Sequence, residues 1–332
     1  MSKMFSRIGR RGALRGAAAG VVALGLLLWW LLPLGDEPPS GTITFSTGTS
    51  RGVYQEYATL LRTELDREMP GLKVRLLASN GSQDNVARVA TGRADFTIAA
   101  ADAVETYQLN HEPGADRLRG VARLYDDYVQ LVVPRGARIA SVADLRGKRV
   151  AIGPPGSGVR LIAGRVLTAA GIDPTTGIRP RSDGIDTAPD QLRRGAIDAF
   201  FWSGGLPTAG VEQLAGKFAF RFVPIGSDLV SRLHAAGGAT RYYRARNMPE
   251  SAYSGFQQGS TVPTIAVSNV LITRKDMDPR LTEWVTRTVI KSRDKIGGHV
   301  HSAQLVDLRT AIYTDPLVLH EGARRYYRSV KP

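Results

Sequence analysis

The chain contains no cysteine. That absence removes disulfides, thiolate chemistry, cysteine-ligated zinc and lipidation on cysteine together. Histidine is scarce, with five in 332 residues, and His111, His234, His301 and His320 form no HExxH motif and no i,i+4 pair. Each reads as a surface or partly packed residue rather than a metal ligand or base. No GxxxxGK[ST] motif occurs, and no GxGxxG follows a strand with an acid downstream, so nucleotide binding lacks its usual phosphate loop. The adjacent pair Asp126 and Asp127 falls in a strand-like run, where neighbours point to opposite faces and cannot act as a catalytic dyad. Ser203, in WSGG, has no sequence-defined base beside it and no nucleophile elbow around it. No enzymatic activity, cofactor or metal is expected.

What is present is an ordinary globular composition, 43% hydrophobic and 22% charged, long enough for two domains. The formal charge is +14, but Lys3, Arg7, Arg10, Arg11 and Arg15 are concentrated ahead of the first long apolar run, and the rest are scattered. No basic stripe interleaved with exposed aromatics is found, so nucleic acid is not an expected partner. After Arg15 the stretch from about Gly16 to Leu34 is apolar and ends in Trp29, Trp30 and a Pro-Leu-Gly. Its length reaches the lower end of a bilayer-spanning helix, the basic leader favours a cytoplasmic N-terminus, and no Ala-x-Ala site follows it. Residues 1–35 are therefore expected to form a signal-anchor transmembrane helix, 36–41 a Pro-rich spacer, and the remainder an extracytoplasmic body. Signal cleavage to a secreted or periplasmic protein is the alternative.

From Thr42 onward strand and helix patterns alternate: ITFSTG, then YQEYATLLRTELDREM, KVRLLAS, SQDNVARVATG and ADFTIAAA. Such alternation predicts a mostly parallel sheet with helices on both faces. Asp102 is placed as the N-cap of the helix that follows, and LRGVARLYDDYVQLVVPRG is read as two strands close together. A second strand–helix set runs to about Asn247, after which TVPTIAVSNVLITR is again strand-like. The expected organisation is two lobes, residues 42–133 with 248–332 and residues 134–247. A hinge is expected at the two crossings, Tyr128–Val133 and Pro249–Thr264.

Three small-residue turns follow predicted strands, where open α/β sheets bind ligands. In STGTSRGVY, Gly48 and Gly52 allow close backbone approach, Thr49 offers a hydroxyl, and a helix starts near Val53. In SNGSQDN, Asn80 and Gly81 make a turn that Ser82 can cap. In GPPGSGVR, Gly156, Ser157 and Gly158 precede a helix whose first turn holds Arg160. A cation there opposes the helix dipole, which is easier to accept if Arg160 meets an anion. Free N–H groups at these helix starts suit a carboxylate; ordinary capped βα-turns and a solvated arginine fit the same residues. Trp202 beside Gly204 and Gly205 walls a pocket or fills a core, and Tyr128 packs the hinge or touches ligand.

Taken in order, STGTSRGVY, SNGSQDNVARVATGRADFTIAAAD, SVADLRGKRVAIGPPGSGVR, AIDAFFWSGGLPTAGVEQLA and YTDPLVLHEGARRYYRSV resemble the TAXI family of TRAP-transporter solute receptors from Thr42 to Val330. The resemblance implies an α/β, two-lobed, periplasmic-binding-protein-like fold with a two-segment hinge. It also implies capture of a small organic anion or amino acid for TRAP-type membrane permease subunits. A membrane-anchored sensor on the same fold is the alternative. It places Gly48, Thr49, Gly52, Val53, Tyr54, Asn80, Gly81, Ser82, Ser157, Gly158, Arg160, Trp202, Gly204 and Gly205 at the ligand, with Thr264 from the return strand. The sequence departs from family pattern at Ala100, Ala101 and Asp102, where many relatives carry Gln-Ser-Asp, so glutamate does not follow by analogy.

Overall fold

The computed structural model describes residues 20–22, 37–253 and 261–330. The apolar stretch read as a membrane anchor lies, apart from three residues, outside the described residues. Among the described residues no helix is long and apolar enough to cross a membrane. Residues 39–332 form one compact unit.

The predicted alternation appears as β1 (Gly41–Ser46), α1 (Val53–Glu68), β2 (Leu72–Leu77), α2 (Ser82–Ala90), β3 (Phe96–Ala100) and α3 (Ala101–Leu109). Helix α1 forms because Val53, Tyr57, Ala58, Leu61 and Leu65 fall on one stripe, and that stripe is buried. Strand β3, FTIAA, is buried at every position, as befits a central strand covered on both faces. Two capping expectations differ. Helix α3 starts at Ala101 with Ala100 as N-cap, so Asp102 sits inside its first turn. Helix α2 is capped by the Gly81 backbone, and Ser82 instead accepts a hydrogen bond from the Ala100 N–H at 3.1 Å.

Residues 118–134 form one strand, β4 (Leu118–Pro134), where two were expected. The acidic pair is buried within it: Arg123 neutralises Asp126, and Asp127 faces the opposite way toward Tyr54. The second set comprises β5 (Arg149–Ala151), α4 (Gly158–Ala169), β6 (Arg179–Arg181), α5 (Ala188–Arg193), β7 (Ala199–Gly204), α6 (Ala209–Ala215), β8 (Phe220–Val223), α7 (Ser227–Ala235) and β9 (Arg244–Met248). Strand β10 (Val262–Arg274) returns, followed by α8 (Pro279–Lys291), α9 (Arg293–Gly297) and α10 (Glu321–Ser329).

All ten strands join one sheet in the order β2-β1-β3-β10-β4-β7-β5-β6, with β8 on β4 and β9 on β10. It is mixed rather than mostly parallel. The outer pairs β1/β2, β1/β3, β5/β6 and β5/β7 are parallel, whereas every pairing of β4 or β10 is antiparallel. A strand that leaves one half of the molecule and a strand that comes back must run in opposite directions.

The apolar core changes over along both long strands. On β4, Leu124 and Tyr125 pack into a cluster with β1, α1 and α8, while Val129 and Leu131 pack into another with β5, α4 and β7. On β10, Val267 belongs to the latter cluster and Leu271 to the former. Between them lie Asp126–Tyr128 and Ser268–Asn269, with Asp127 paired to Val267 and Asp126 to Ser268 in register. Polar side chains thus occupy the junction of the two cores, beside the cavity described next. The second expected crossing includes residues 254–260, which lie outside the described residues.

Candidate functional site

At that junction a cavity of about 50 Å³ is left unfilled. This exceeds the ~15 Å³ that admits one water but is well below the ~150 Å³ cavity known to hold benzene, so only a compact group fits without opening. The three turns after β1, β2 and β5 all border it. The first supplies Gly48, Thr49, Gly52, Val53 and Tyr54, the second Asn80, Gly81 and Ser82, and the third Ser157 and Gly158. Trp202 and Gly204 close it from the end of β7.

Helix geometry decides what faces the space. Helices α1, α2 and α4 all begin at the cavity, and the first N–H groups of each have no acceptor within their own helix. The helices α1 and α2 have no side-chain cap; α4 uses Ser157 Oγ to accept from the Arg160 N–H at 3.1 Å. Three positive helix ends therefore converge on one point, an arrangement that favours an anionic group.

The turns also touch each other. Gln83 Nε2 donates to the Ser157 carbonyl at 2.6 Å, and the Asp84 N–H donates to the Gly156 carbonyl at 3.0 Å. Nearer the surface the Arg51 N–H donates to Asp186 Oδ1 at 3.0 Å. Gly156 is required at that contact: its φ is +82°, and a Cβ there would stand 2.2 Å from Asp84 Oδ1. Trp202 is held flat by its Nε1–H donating to Thr208 Oγ1 at 3.0 Å, and Thr208 in turn donates to the Gly205 carbonyl at 2.8 Å. The indole lies so close to Gly204 that a Cβ there would be 2.6 Å from Nε1, which is why an aromatic wall needs a glycine two residues on.

Four expected residues lie elsewhere. Arg160 turns away from the cavity, its guanidinium donating to the Gly153 carbonyl at 3.1 Å and to Ser182 Oγ at 3.3 Å. The carbonyl acceptor in its own turn compensates for the unfavourable dipole position, so no bound anion is needed to explain it. Arg160→Ala is expected to change solute affinity by no more than about twofold, measured by calorimetry, since its side chain bonds groups that do not border the cavity. Thr264 is buried and donates to the Val129 carbonyl, tying β10 to β4. Tyr128 sits where β4 pairs with both Gly204 and Ala266, a packing role at the crossing. Gly205 meets Ser302 and Val53 rather than the cavity.

Sequence reasoning missed the two acids of the site. Asp102 and Asp127 both border the cavity, with 1% and 3% of their surfaces exposed. Asp102 is satisfied: Arg165 donates to it at 3.1 Å and the Tyr243 hydroxyl at 2.7 Å, while Arg165 also bonds Thr106 at 2.6 Å. Burial raises its pKa, and Arg165 opposes that rise. Asp127 is not satisfied. Its Oδ2 lies 3.3 Å from the Tyr54 hydroxyl, which donates to Asn269 Oδ1, but its Oδ1 has no partner. Burial pushes its pKa up to about 7, opposed in part by the neighbouring Asn269 and Tyr54 side chains. Burial and the nearby Asp127 likewise raise the Tyr54 hydroxyl. The one available signal was strand alternation, which sends one of Asp126 and Asp127 inward without saying which.

Among the described residues no group of three or more His, Cys, Asp or Glu stands close enough to hold a metal ion. The backbone is similar to that of a putative L-cystine ABC transporter protein from Listeria monocytogenes, at 17% identity and a TM-score of 0.50 over 80% of this chain and 98% of that one. It is also similar to the alkanesulfonate-binding protein of Xanthomonas axonopodis pv. citri bound to MOPS, at 16% identity and a TM-score of 0.51 over 90% and 86%. The α/β, periplasmic-binding-protein-like architecture expected from the sequence is thus the one found. The NMT1-like family model matches residues 45–330, most of the 332. With every turn of the cavity inside that span, this chain belongs to the NMT1-like family.

Proposed function

We propose that this protein is an extracytoplasmic solute receptor. It captures a compact, carboxylate-bearing molecule, an amino acid or organic acid, between two lobes and presents it to a membrane permease. The observation that carries the reading is the convergence of three helix N-termini, from both sides of the core junction, on one cavity. The lobes are residues 42–133 with 248–332 and residues 134–247, and the paired turns 79–84 and 153–158 form the mouth. Binding is non-covalent. A micromolar complex needs roughly 8 kcal/mol, within reach of several charge-assisted N–H contacts plus burial against Trp202 and Val267.

The ordered motifs from Thr42 to Val330 support a TRAP-type permease as the partner and an N-terminal anchor at the membrane. An ABC-type permease is the second reading, favoured by the backbone match to the Listeria ABC transporter protein. Reconstitution with each class of permease separates them.

A thermal-shift screen over amino acids, 2-hydroxy acids and dicarboxylates tests the core of the proposal. A true solute at about 100 times its Kd adds roughly 2.7 kcal/mol, enough to raise Tm by several degrees. No shift with any carboxylate would overturn it.

A further inference from the structure

We infer that the solute carries a protonated amino group and that Asp127 is the residue that selects for it. This rests on the reading of the cavity as a solute site and narrows its substrate class to amino acids or other amine-bearing acids.

The argument starts from an imbalance. The charged side chains among the described residues bordering the cavity are Asp102 and Asp127, both acidic. Asp102 is already committed to Arg165 and Tyr243. Asp127 has no cation. The polar groups that act on it are Tyr54 from α1, Asn269 from β10, Asp102 from α3, and Tyr125 and Asp126 on its own strand β4, none of them positively charged. Its Oδ1 is left without any donor although the residue is only 3% exposed. An orphaned, buried carboxylate oxygen is among the most costly groups a fold can retain. A ligand ammonium removes that cost with a charge-assisted hydrogen bond. Thr49 Oγ1, on the cavity wall and also without a partner, is an acceptor for a second N–H.

Alternative cations fit poorly. A hard divalent ion takes six to eight oxygens, and among the described residues no cluster of three or more acidic or histidine ligands stands here. An ammonium needs one carboxylate oxygen and one or two neutral acceptors. The cavity therefore offers two kinds of partner: helix N–H groups for the solute's carboxylate, and the Asp127 carboxylate for its amine. A purely anionic solute would satisfy the first and leave Asp127 facing it unpaired.

The test compares each of the common L-amino acids with its 2-hydroxy acid, which keeps the carboxylate and the shape but loses the positive charge. Calorimetry on the intact protein should find at least one amino acid bound roughly 30-fold or more tightly than its 2-hydroxy partner, the scale for losing one partner of a buried charge pair. Asp127→Asn should abolish that difference while leaving weak binding of the 2-hydroxy acid in place. Binding of the amino acid at pH 6.5 should also expel protons, seen as a buffer-dependent heat in phosphate against Tris, because a bound ammonium holds Asp127 ionised. Equal affinity within every pair, or an Asp127→Asn variant that still prefers the amine, overturns the inference and leaves the receptor reading standing. If neither member of any pair binds but a dicarboxylate does, this inference fails and the receptor reading stands; if no carboxylate binds, both fail.

Discussion

Replacing Arg165 with alanine is expected to cost about 3–5 kcal/mol of folding stability, the scale for removing one partner of a buried ion pair. A large fall in the urea midpoint would show it. The Arg165 side chain is 21% exposed and that of Asp102 only 2%, so the acid cannot recover its lost partner from water. Tyr243 remains as a donor but cannot balance the charge, and Asp102 would take up a proton instead. The double variant Asp102→Asn with Arg165→Met should lose less than Arg165→Ala alone, since no uncompensated charge remains. A control is the pair Arg193 and Asp190 on α5, exposed on both sides at 41% and 52%. Arg193→Ala should therefore cost no more than about 1 kcal/mol. Equal losses for Arg165→Ala and Arg193→Ala would show that burial is not what makes the Asp102 pair matter.

The second large effect is on the pH dependence of the empty protein. Asp127 ionises near 3.8 when unfolded and near 7 when folded. Below 3.8 the group is protonated in both states and contributes nothing. Between 3.8 and 7 the folded state retains a proton that the unfolded state has released, so stability declines as pH rises. Above 7 the decline is complete, at about 1.4 kcal/mol per unit of difference, or up to about 4 kcal/mol. Asp127→Asn is expected to match the wild type at pH 4 and to melt well above it at pH 8.5. Melting curves from pH 4 to 9 measure this directly; parallel profiles for the two proteins would refute it. The same variant is thus better folded than the wild type at pH 8.5, so a loss of amino acid binding there cannot be attributed to unfolding.

Most strands and helices and the three turns were legible because each has a local cause, whereas the single long strand β4 was read as two. Alternation or continuous apolar runs mark strands, i,i+3/i+4 stripes mark helices such as α1, and glycines mark the turns after β1, β2 and β5. Those turns account for Gly48, Gly52, Asn80, Gly81, Ser82, Ser157 and Gly158 at the cavity. What depended on long-range register was not legible. Which of Asp126 and Asp127 faces inward is set by the pairing of β4 with β10, 140 or so residues away in the chain, close to a register shift between Ser268 and Val270. Asp102 read as a cap because its partners, Arg165 and Tyr243, are far off in sequence. Arg160 was misplaced because a dipole argument identifies an unfavourable charge but not the carbonyl, here Gly153, that relieves it.

Strands β4 and β10 each contribute side chains to both hydrophobic clusters and are hydrogen-bonded to each other along most of their length. Neither half can therefore be cut out and refolded alone, because excision would strip its partner of two central strands and expose their apolar faces. Melting of one half must take the other with it, so the body that follows residue 38 should behave in a calorimeter as a single cooperative unit.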